Sequence, residues 1–314
     1  MRLGFVTDTH FSVTRTGFRT DDFFHSVLEK LRQCYSHFTE EGCEAVIHGG
    51  DFFDRHHSYS YQMLTEVRDT LLSTGLRTYY VWGQHDLLGY NRETSSGSNL
   101  AFLTRILDGT LVEINGSVTL HGQDGGEKVV VHAVHVDMDP VKSLQAVPKD
   151  DGAISIAVVH ALLDKSGSPS GTIPVGRVGE VNADIVLSGD LHTGFPQTRI
   201  GHTLFYNPGS LARTSREDRK PKCCVIDTES LAIEDFYPVS NENPFPEREA
   251  VKQTVDSKDD TGRLAKEFLG FKGRPRDIVE CLENAARESG ASVNGDVMAY
   301  IKEMASKAAD GTRA

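Results

Sequence analysis

Short runs of apolar, β-branched and aromatic residues recur through the first two thirds of the chain, and polar residues follow each run directly. Runs of this kind are typical of buried strands that end in loops. The apolar runs that are followed by a distinctive group of polar residues cover residues 3–6, 45–47, 79–82, 154–159 and 185–187. The pattern therefore predicts buried strands that each deliver polar side chains to a loop.

Apolar residues at helical spacing separate the first three runs. One such stretch covers about residues 21–41, where Asp21 and Asp22 suit the positive end of a helix dipole, and a second covers about residues 61–74. Beyond Leu111 the pattern predicts strands at residues 117–121, 129–136, 154–160, 185–187, 204–206, 223–227 and 232–239. These elements predict an α/β fold with a second half that is rich in strands.

A change of composition around residues 239–248 predicts a domain boundary. Prolines and asparagines accumulate there, and the chain beyond lacks strand candidates. Two apolar stripes at helical spacing follow, around residues 278–286 and 297–308. We therefore expect a first domain over residues 1–240 and a C-terminal helical region over residues 241–314. The helices of that region would pack either on each other or on the first domain.

Composition excludes several classes of protein. The chain has 314 residues, of which 38% are hydrophobic and 25% charged, as in ordinary globular proteins. It contains no apolar run of transmembrane length and no signal-peptide pattern at its start, so we expect a cytoplasmic protein. Its five cysteines are odd in number and form no C-x-x-C pair. This argues against a disulfide framework and against a thiolate zinc site.

Five polar blocks at the ends of the predicted strands carry most of the functional information. In chain order they are Asp8-Thr9-His10, Gly50-Asp51-Phe52-Phe53-Asp54-Arg55, Gly83-Gln84-His85-Asp86, His160 and Gly189-Asp190-Leu191-His192. Carboxylate, imidazole and amide groups are ligands of divalent cations such as Mn²⁺, Fe²⁺ and Zn²⁺. Each block alone is common, but together they indicate a two-metal site that cleaves phosphoesters.

The order of these blocks resembles the calcineurin-like metallophosphoesterases, whose pattern is D-x-H, G-D-x-x-D, G-N-H-D, H and G-H-x-H. The resemblance covers about residues 1–215. Within that superfamily the chain looks most like the SbcD-type nucleases of double-strand-break repair. Two stretches carry this likeness, namely residues 49–54 (GGDFFD) and residues 206–215 (YNPGSLARTS).

The resemblance implies a fold and a set of roles. The fold would be two mixed β-sheets packed face to face and flanked by helices, with the metals at the strand ends. The first ion would be held by Asp8, His10 and His192, and the second by Gln84, His160 and Asp190, with Asp51 bridging both. His85 would assist the leaving group. Asp86 would orient the His85 imidazole, and Arg55 would brace its loop or meet a phosphate.

Two positions depart from the family pattern, and both fall on the second ion. Gln84 stands where Asn is usual, and Asp190 stands where the first His of G-H-x-H is usual. A carboxylate in place of an imidazole makes the site harder, so we expect Mn²⁺, or alternatively Mg²⁺, to be preferred over Zn²⁺. The opposing interpretation is a degenerate second site in a protein that only binds.

Charge bears on the substrate. The net charge of −12 argues against nucleic acid, although two divalent ions would add four charges and bring it to −8. Basic residues that follow the first and last blocks, among them Arg15, Arg19 and Arg213, stand where a DNA backbone would need contacts. They are either such contacts or parts of solvated loops. Weak intrinsic affinity for DNA, raised by a partner, would reconcile the acidic total with a nuclease.

Taken together, these features predict a metal-dependent DNA phosphodiesterase resembling SbcD, an exonuclease with or without single-strand endonuclease activity, that acts in DNA repair or recombination. The resemblance implies an SbcC-like SMC-type ATPase as partner, and a role as cap or ATPase-docking segment for residues 241–314. It also implies a homodimer formed through the helices of residues 61–107, whose apolar faces could equally be core. Rival interpretations are a phosphodiesterase or phosphatase for small nucleotides, and a non-catalytic scaffold.

Overall fold

The structure is a computed structural model that describes residues 1–14, 19–57, 60–122, 125–149, 152–167, 171–214, 219–241 and 244–245. Most of the predicted C-terminal helical region, residues 241–314, lies outside the described residues, so its helices and the boundary near residue 240 stay predictions. Within the described part of the chain, no helix is long and apolar enough to cross a bilayer.

The described residues form fourteen strands and five α-helices. The strands are β1 (Arg2–Val6), β2 (Ala45–His48), β3 (Arg77–Tyr80), β4 (Leu111–Glu113), β5 (Ser117–His121), β6 (Lys128–Val134), β7 (Ile154–His160), β8 (Leu163–Asp164), β9 (Ile173–Pro174), β10 (Ile185–Gly189), β11 (Phe195–Ile200), β12 (Thr203–Asn207), β13 (Cys223–Asp227) and β14 (Ala232–Phe236). The helices are α1 (Phe23–Glu40), α2 (Tyr61–Leu72), α3 (Asn99–Ile106), α4 (Pro140–Gln145) and α5 (Val175–Val178).

Twelve of these strands build two six-stranded mixed sheets. The first has the order β14-β13-β1-β2-β3-β4, with β1 to β4 parallel and β13 and β14 antiparallel. The second has the order β11-β12-β10-β7-β6-β5, with a parallel centre and an antiparallel strand at each edge. Strands β8 and β9 form a separate pair. The predicted α/β fold with two mixed sheets is confirmed.

Three apolar clusters show how the layers pack. Phe5 and Ile47 of the first sheet share a buried cluster with Val158 and Leu187 of the second, so the two sheets face each other. A second cluster joins the first sheet to α1, α2 and α3, and a third joins the second sheet to α4 and α5. The molecule is therefore layered as helices, sheet, sheet, helices, which explains why its central strands read as unbroken apolar runs.

Helix α1 begins one or two residues later than its pattern predicts, because Asp22 caps it by accepting a hydrogen bond from the backbone nitrogen of His25. Strand β3 ends at Tyr80, two residues before the predicted end. Val81 and Trp82 remain buried although they have left the strand. The apolar run therefore continues two residues beyond the strand because these side chains are buried.

The helices of residues 61–107 contribute to the core of the first domain. Met63, Val67 and Leu103 are buried against the first sheet, whereas Phe102 and Ile106 are 44% and 45% exposed. The buried residues show that these helices form part of the core. The homodimer that the resemblance implies stays a prediction.

Candidate metal centre

Both sheets bring polar side chains to the carboxyl ends of their central strands. Strand β1 is followed by Asp8 and His10, β2 by Asp51 and β3 by Gln84 and His85, while β7 ends on His160 and β10 is followed by Asp190 and His192. Such ends are where ligand sites lie in open α/β sheets. The five predicted blocks therefore meet in one place.

Four of these residues have an unusual backbone conformation. The φ angles are 53° at Asp8, 44° at His10, 50° at Asp51 and 74° at Asp190. The left-handed region costs a residue with a side chain about 1–3 kcal/mol and persists only where the surrounding structure imposes it. Here Asp8 and His10 donate backbone hydrogen bonds to the carbonyl oxygens of Gly50 and Asp51, at 3.1 and 3.0 Å. The loops are thus held against one another in the conformation that aims the ligands.

Two glycines allow the loops to approach this closely. A Cβ atom at Gly83 would lie 2.2 Å from the backbone nitrogen and Oδ1 of Asp51. A Cβ at Gly189 would lie 2.4 Å from the hydroxyl of Thr7 and 2.5 Å from the carbonyl oxygen of Gly49. Side chains at these positions would push the carboxylate of Asp51 and the loop after β10 out of place.

Asp8, His10 and His192 converge on one point. The Nε2 atoms of the two histidines lie 2.9 Å apart, and each lies 3.8 Å from Oδ1 of Asp8. The Asp8 carboxylate is fixed by the Thr7 hydroxyl, which donates to it at 2.7 Å, and by the backbone nitrogen of Asp190 at 3.2 Å. Ligand atoms that face one another in this way suit a divalent cation. The structure brings the predicted ligands of the first ion together.

Asp51 and His160 form the centre of the second cluster. Nε2 of His160 lies 3.4 Å from Oδ2 of Asp51, and Nδ1 of His160 donates to the carbonyl oxygen of Gly49 at 2.7 Å. That hydrogen bond orients the ring so that Nε2 points at Asp51. The amide nitrogen of Gln84 donates to Oδ1 of Asp190 at 2.6 Å. Asp190 is thus in contact with Gln84, and its carboxylate also helps to raise the pKa of His160.

Buried atoms without partners test whether these residues fit metal ions. Within the described part of the chain, Asp51 Oδ2, His160 Nε2 and Gln84 Oε1 are buried and accept or donate no hydrogen bond. Buried polar atoms are seldom left unpaired, because their desolvation is costly. All three belong to predicted ligands of the second ion. The donor set, which comprises carboxylate, imidazole and amide groups, therefore fits a divalent cation.

Asp51 and His160 shift each other's pKa. Burial would raise the pKa of Asp51, but His160 and His10 outweigh it and hold that pKa below its usual range. Burial would lower the pKa of His160, but the Asp51 carboxylate outweighs it and raises that pKa well above the usual range. The Asp51 carboxylate thus favours the protonated form of His160, whereas an imidazole that ligates a metal must be neutral.

His85 lies at the exposed side of the centre. Its Nε2 atom is 4.0 Å from Oδ2 of Asp51, and its side chain is 42% exposed. Its Nδ1 atom donates to the carbonyl oxygen of Asp54 at 2.9 Å. Burial alone would lower the pKa of His85, but Asp51 and the Asp54 carbonyl raise it. The imidazole can therefore carry the proton that a leaving oxygen needs.

The prediction that Asp86 orients this imidazole is wrong. The Asp86 carboxylate is fully buried and accepts hydrogen bonds from the backbone nitrogens of Phe52, Phe53 and Gly83, at 3.2, 3.0 and 3.2 Å. Burial, and then Asp51, raise its pKa to about 7. Asp86 joins the loops that carry Asp51 and His85, so it supports the site from within.

Asp54 orients His85 instead, a role that the sequence did not predict. Its carbonyl oxygen fixes His85, and its carboxylate Oδ1 lies 3.9 Å from Nδ1 of His10. Because the backbone carbonyl makes the contact with His85, the side chain at position 54 gave no sequence signal for this role.

The basic residues predicted to contact substrate differ in their exposure and in their contacts. Arg19 is 1% exposed, and its guanidinium donates to the Asp21 carboxylate and the carbonyl oxygen of Arg213, so a role in contacting substrate is wrong for it. The guanidinium of Arg213 lies over the ring of Phe245, 5.7 Å from its centroid. Arg55 is exposed beside Asp54, and Arg15 lies outside the described residues.

The chain is similar to a protein family and to several solved structures. No curated protein matches the chain. Among solved structures, a novel archaeal phosphodiesterase shares 17% identity with a TM-score of 0.40, covering 76% of this chain and 99% of its own. The calcineurin-like phosphoesterase YfkN from Bacillus subtilis shares 15% identity with a TM-score of 0.47, covering 81% of this chain and 95% of its own.

A putative 5′-nucleotidase from Staphylococcus aureus shares 16% identity with a TM-score of 0.46, covering 80% of this chain and 56% of its own. The family model of the calcineurin-like phosphoesterase superfamily domain matches residues 1–231. That match spans every predicted ligand and all strands of both sheets except the edge strand β14. The chain therefore belongs to the calcineurin-like phosphoesterase superfamily, whose members are metal-dependent hydrolases of phosphoester bonds.

Proposed function

We propose that the protein is a two-metal phosphodiesterase that cleaves DNA, an SbcD-like exonuclease of DNA repair or recombination. The observation that carries the proposal is the position of His85, which lies half-exposed beside the fully buried Asp51. The leaving-group side of the centre is thus open to solvent. An open centre of this kind can receive one phosphodiester of a long polymer.

The proposed roles are those that the family pattern implies. Asp8, His10 and His192 would hold one ion, Gln84, His160 and Asp190 would hold the other, and Asp51 would be shared by both. When bound, two such ions polarise the phosphate, activate water and stabilise the oxygens of an in-line displacement. His85, with Nδ1 held by the Asp54 carbonyl, presents Nε2 to the leaving oxygen and transfers its proton there. We propose Mn²⁺ as the resident metal.

Two features support DNA as the substrate. Residues 206–215 carry the stretch that resembles the SbcD-type nucleases, and within it Leu211 and Ala212 donate backbone hydrogen bonds to Thr7 and Asp8 beside the first ion. Arg55 is exposed next to Asp54, where it can meet a phosphate. The net charge of −12 makes unaided affinity for DNA weak. We therefore propose that an SbcC-like ATPase supplies much of the binding.

A second candidate substrate is a small nucleotide. The burial of Arg19 favours it, because this leaves fewer cations near the centre to hold a long anionic backbone. A small substrate would need only the metal ions and a few polar contacts.

The test is digestion of an end-labelled linear duplex by the purified protein in Mn²⁺, with Asp51→Ala in parallel and bis-p-nitrophenyl phosphate as a second substrate. Digestion of the duplex by the wild type alone supports the proposal. Cleavage of the small diester without cleavage of DNA, also in the presence of an SbcC-like ATPase and ATP, would favour the small-nucleotide candidate. Hydrolysis of neither substrate, with fewer than two ions bound per chain, would indicate a scaffold.

A further inference from the structure

Four consecutive carbonyl oxygens, those of residues 210–213, each accept a hydrogen bond from a cationic side chain. Nζ of Lys30 donates to Leu211 at 2.8 Å, and the guanidinium of Arg219 donates to Ser210 and Ala212 at 2.6 and 3.0 Å. The guanidinium of Arg19 donates to the fourth carbonyl, that of Arg213. We call residues 210–213 the clamped segment. Lys30 and Arg19, which lie 181 and 194 positions from their partners, thus converge with the nearby Arg219 on one short stretch of backbone.

The amide edge of the same segment faces the first metal centre. The backbone nitrogen of Ser210 donates to the carbonyl oxygen of His192 at 3.0 Å, and that of Ala212 donates to the carbonyl oxygen of Asp8 at 3.1 Å. The hydroxyl of Ser210 also donates to the Asp8 carbonyl, at 3.1 Å. Two ligands of the first ion, which are 184 positions apart in the sequence, are therefore tied to one segment.

The burial of these cations needs an explanation. Lys30 and Arg19 are each 1% exposed, and a buried charge costs several kcal/mol unless it is paired. Arg19 is paired with Asp21 through two hydrogen bonds, whereas the hydrogen-bond partner of Lys30 is the carbonyl of Leu211. Burial, together with Arg19 and Arg219, lowers the pKa of Lys30 to about 7. An apolar side chain of similar length would fill the same space without this cost.

We propose that Lys30, Arg19 and Arg219 are positioning residues for the first metal ion. They hold the clamped segment by its carbonyl edge, and the segment holds Asp8 and His192 by its amide edge. The distance between the Asp8 carboxylate and the His192 imidazole is thereby set by groups that touch neither side chain. This inference rests on the metal centre and is independent of the DNA substrate.

The test compares Mn²⁺ binding by calorimetry in Lys30→Met, Arg219→Met and Arg219→Lys with the wild type. His192→Ala and His160→Ala assign the two binding steps to the first and second ions. Lys222→Met is the matched control, because Lys222 is a lysine of 20% side-chain exposure whose partners are Tyr206 and Asp235. The melting temperature of each metal-free variant is measured alongside.

We expect the affinity of the first step to fall about 10- to 100-fold in Lys30→Met and Arg219→Met, as for other residues that orient metal ligands. Arg219→Lys should lose less, since a lysine can still reach one of the two carbonyls. The second step and the Lys222→Met control should stay within about twofold of the wild type, since neither involves the clamped segment.

Unchanged affinity of the first step in the folded variants would overturn the proposal. So would an equal loss at both steps that follows a fall in melting temperature, because that result indicates general destabilisation. If Lys30→Met does not fold, the Mn²⁺ affinities of Arg219→Met, Arg219→Lys and the wild type still test the proposal. The affinity of the first step should then rise in that order, and any other order would overturn the proposal. Failure of the protein to cleave DNA would leave these binding measurements unaffected, so the two proposals can fail separately.

Discussion

The amide nitrogen of Gln84 donates a 2.6 Å hydrogen bond to Oδ1 of Asp190. These are the two positions at which the chain departs from the family pattern, and they contact each other. The amide oxygen of Gln84 remains buried without a partner among the described residues, so it is available to an ion. The two substitutions therefore act as one altered ligand pair.

The first prediction concerns metal preference. A carboxylate and an amide oxygen favour Mn²⁺ or Mg²⁺, whereas imidazole ligands suit Zn²⁺ better. Metal-stripped wild type should therefore regain more phosphodiesterase activity with Mn²⁺ than with Zn²⁺. The double variant Gln84→Asn with Asp190→His should shift the preference toward Zn²⁺. Equal activity of the wild type with both metals would contradict this account.

The second prediction separates His85 from the metal ligands. His85→Ala should lower kcat by about 10²- to 10⁴-fold, because a general acid is lost. Its metal content should remain that of the wild type, measured by elemental analysis after gel filtration. His85 lies within reach of His10 and Asp51 in a cluster that could itself hold an ion. Loss of one ion per chain in the variant would show that His85 is a ligand.

The third prediction concerns the close approach at Gly83. A Cβ atom there would lie 2.2 Å from the backbone of Asp51, so Gly83→Ala should destabilise the fold by about 1–3 kcal/mol or more. Urea unfolding measures this loss, and metal content should fall with it. The matched control is Gly176→Ala, because a Cβ at Gly176 meets nothing within 4 Å. Similar stability of the two variants would show that the loops can separate at no cost.

The fourth prediction concerns the pH dependence of stability. Burial, with the nearby cations Arg19 and Arg219, lowers the pKa of Lys30 from 10.5 to about 7, against smaller opposing effects of Cys34 and Asp21. Between these values the unfolded chain binds more protons than the folded one, so stability rises with pH. The unfolding free energy of the wild type should therefore rise relative to Lys30→Met from about pH 7 to 10.5.

Below about pH 7 the unfolding free energies of the wild type and of Lys30→Met should change with pH in parallel. Lys30 is then protonated in both the folded and the unfolded chain. Denaturant unfolding at a series of pH values measures the difference. Curves that stay parallel up to pH 10.5 would mean that Lys30 keeps an ordinary pKa in the folded protein.

The strands and the order of the ligand blocks could be predicted because they depend on local signals. Apolar runs such as residues 154–159 mark strands covered on both faces, and β7 does end on His160. Strand β11 (Phe195–Ile200) was not predicted. It lies at a sheet edge and only Phe195 is buried, so its sequence contains no apolar run. Strand β4 was not predicted either, because its three residues are too few to form a strand pattern.

Orientation within loops and the pairing of buried charges were not predictable. His85 and Asp86 are neighbours in sequence, yet one side chain faces solvent and the other is fully buried among backbone amides. Lys30 lies in a helix that reads as amphipathic, and its partner Leu211 is 181 residues away. Arg19 likewise looked like a solvated or phosphate-binding residue. Only the tertiary structure shows that its partners include the Arg213 carbonyl, 194 positions away.

An anomalous diffraction map from crystals grown with Mn²⁺ tests the two-metal centre most directly. We expect two peaks about 3.5–4 Å apart, both in contact with Asp51. One peak should lie among Asp8, His10 and His192, and the other should contact His160 and Asp190. A single peak at the first position, with Gln84 still bonded to Asp190 and no metal between them, would contradict a working two-metal centre.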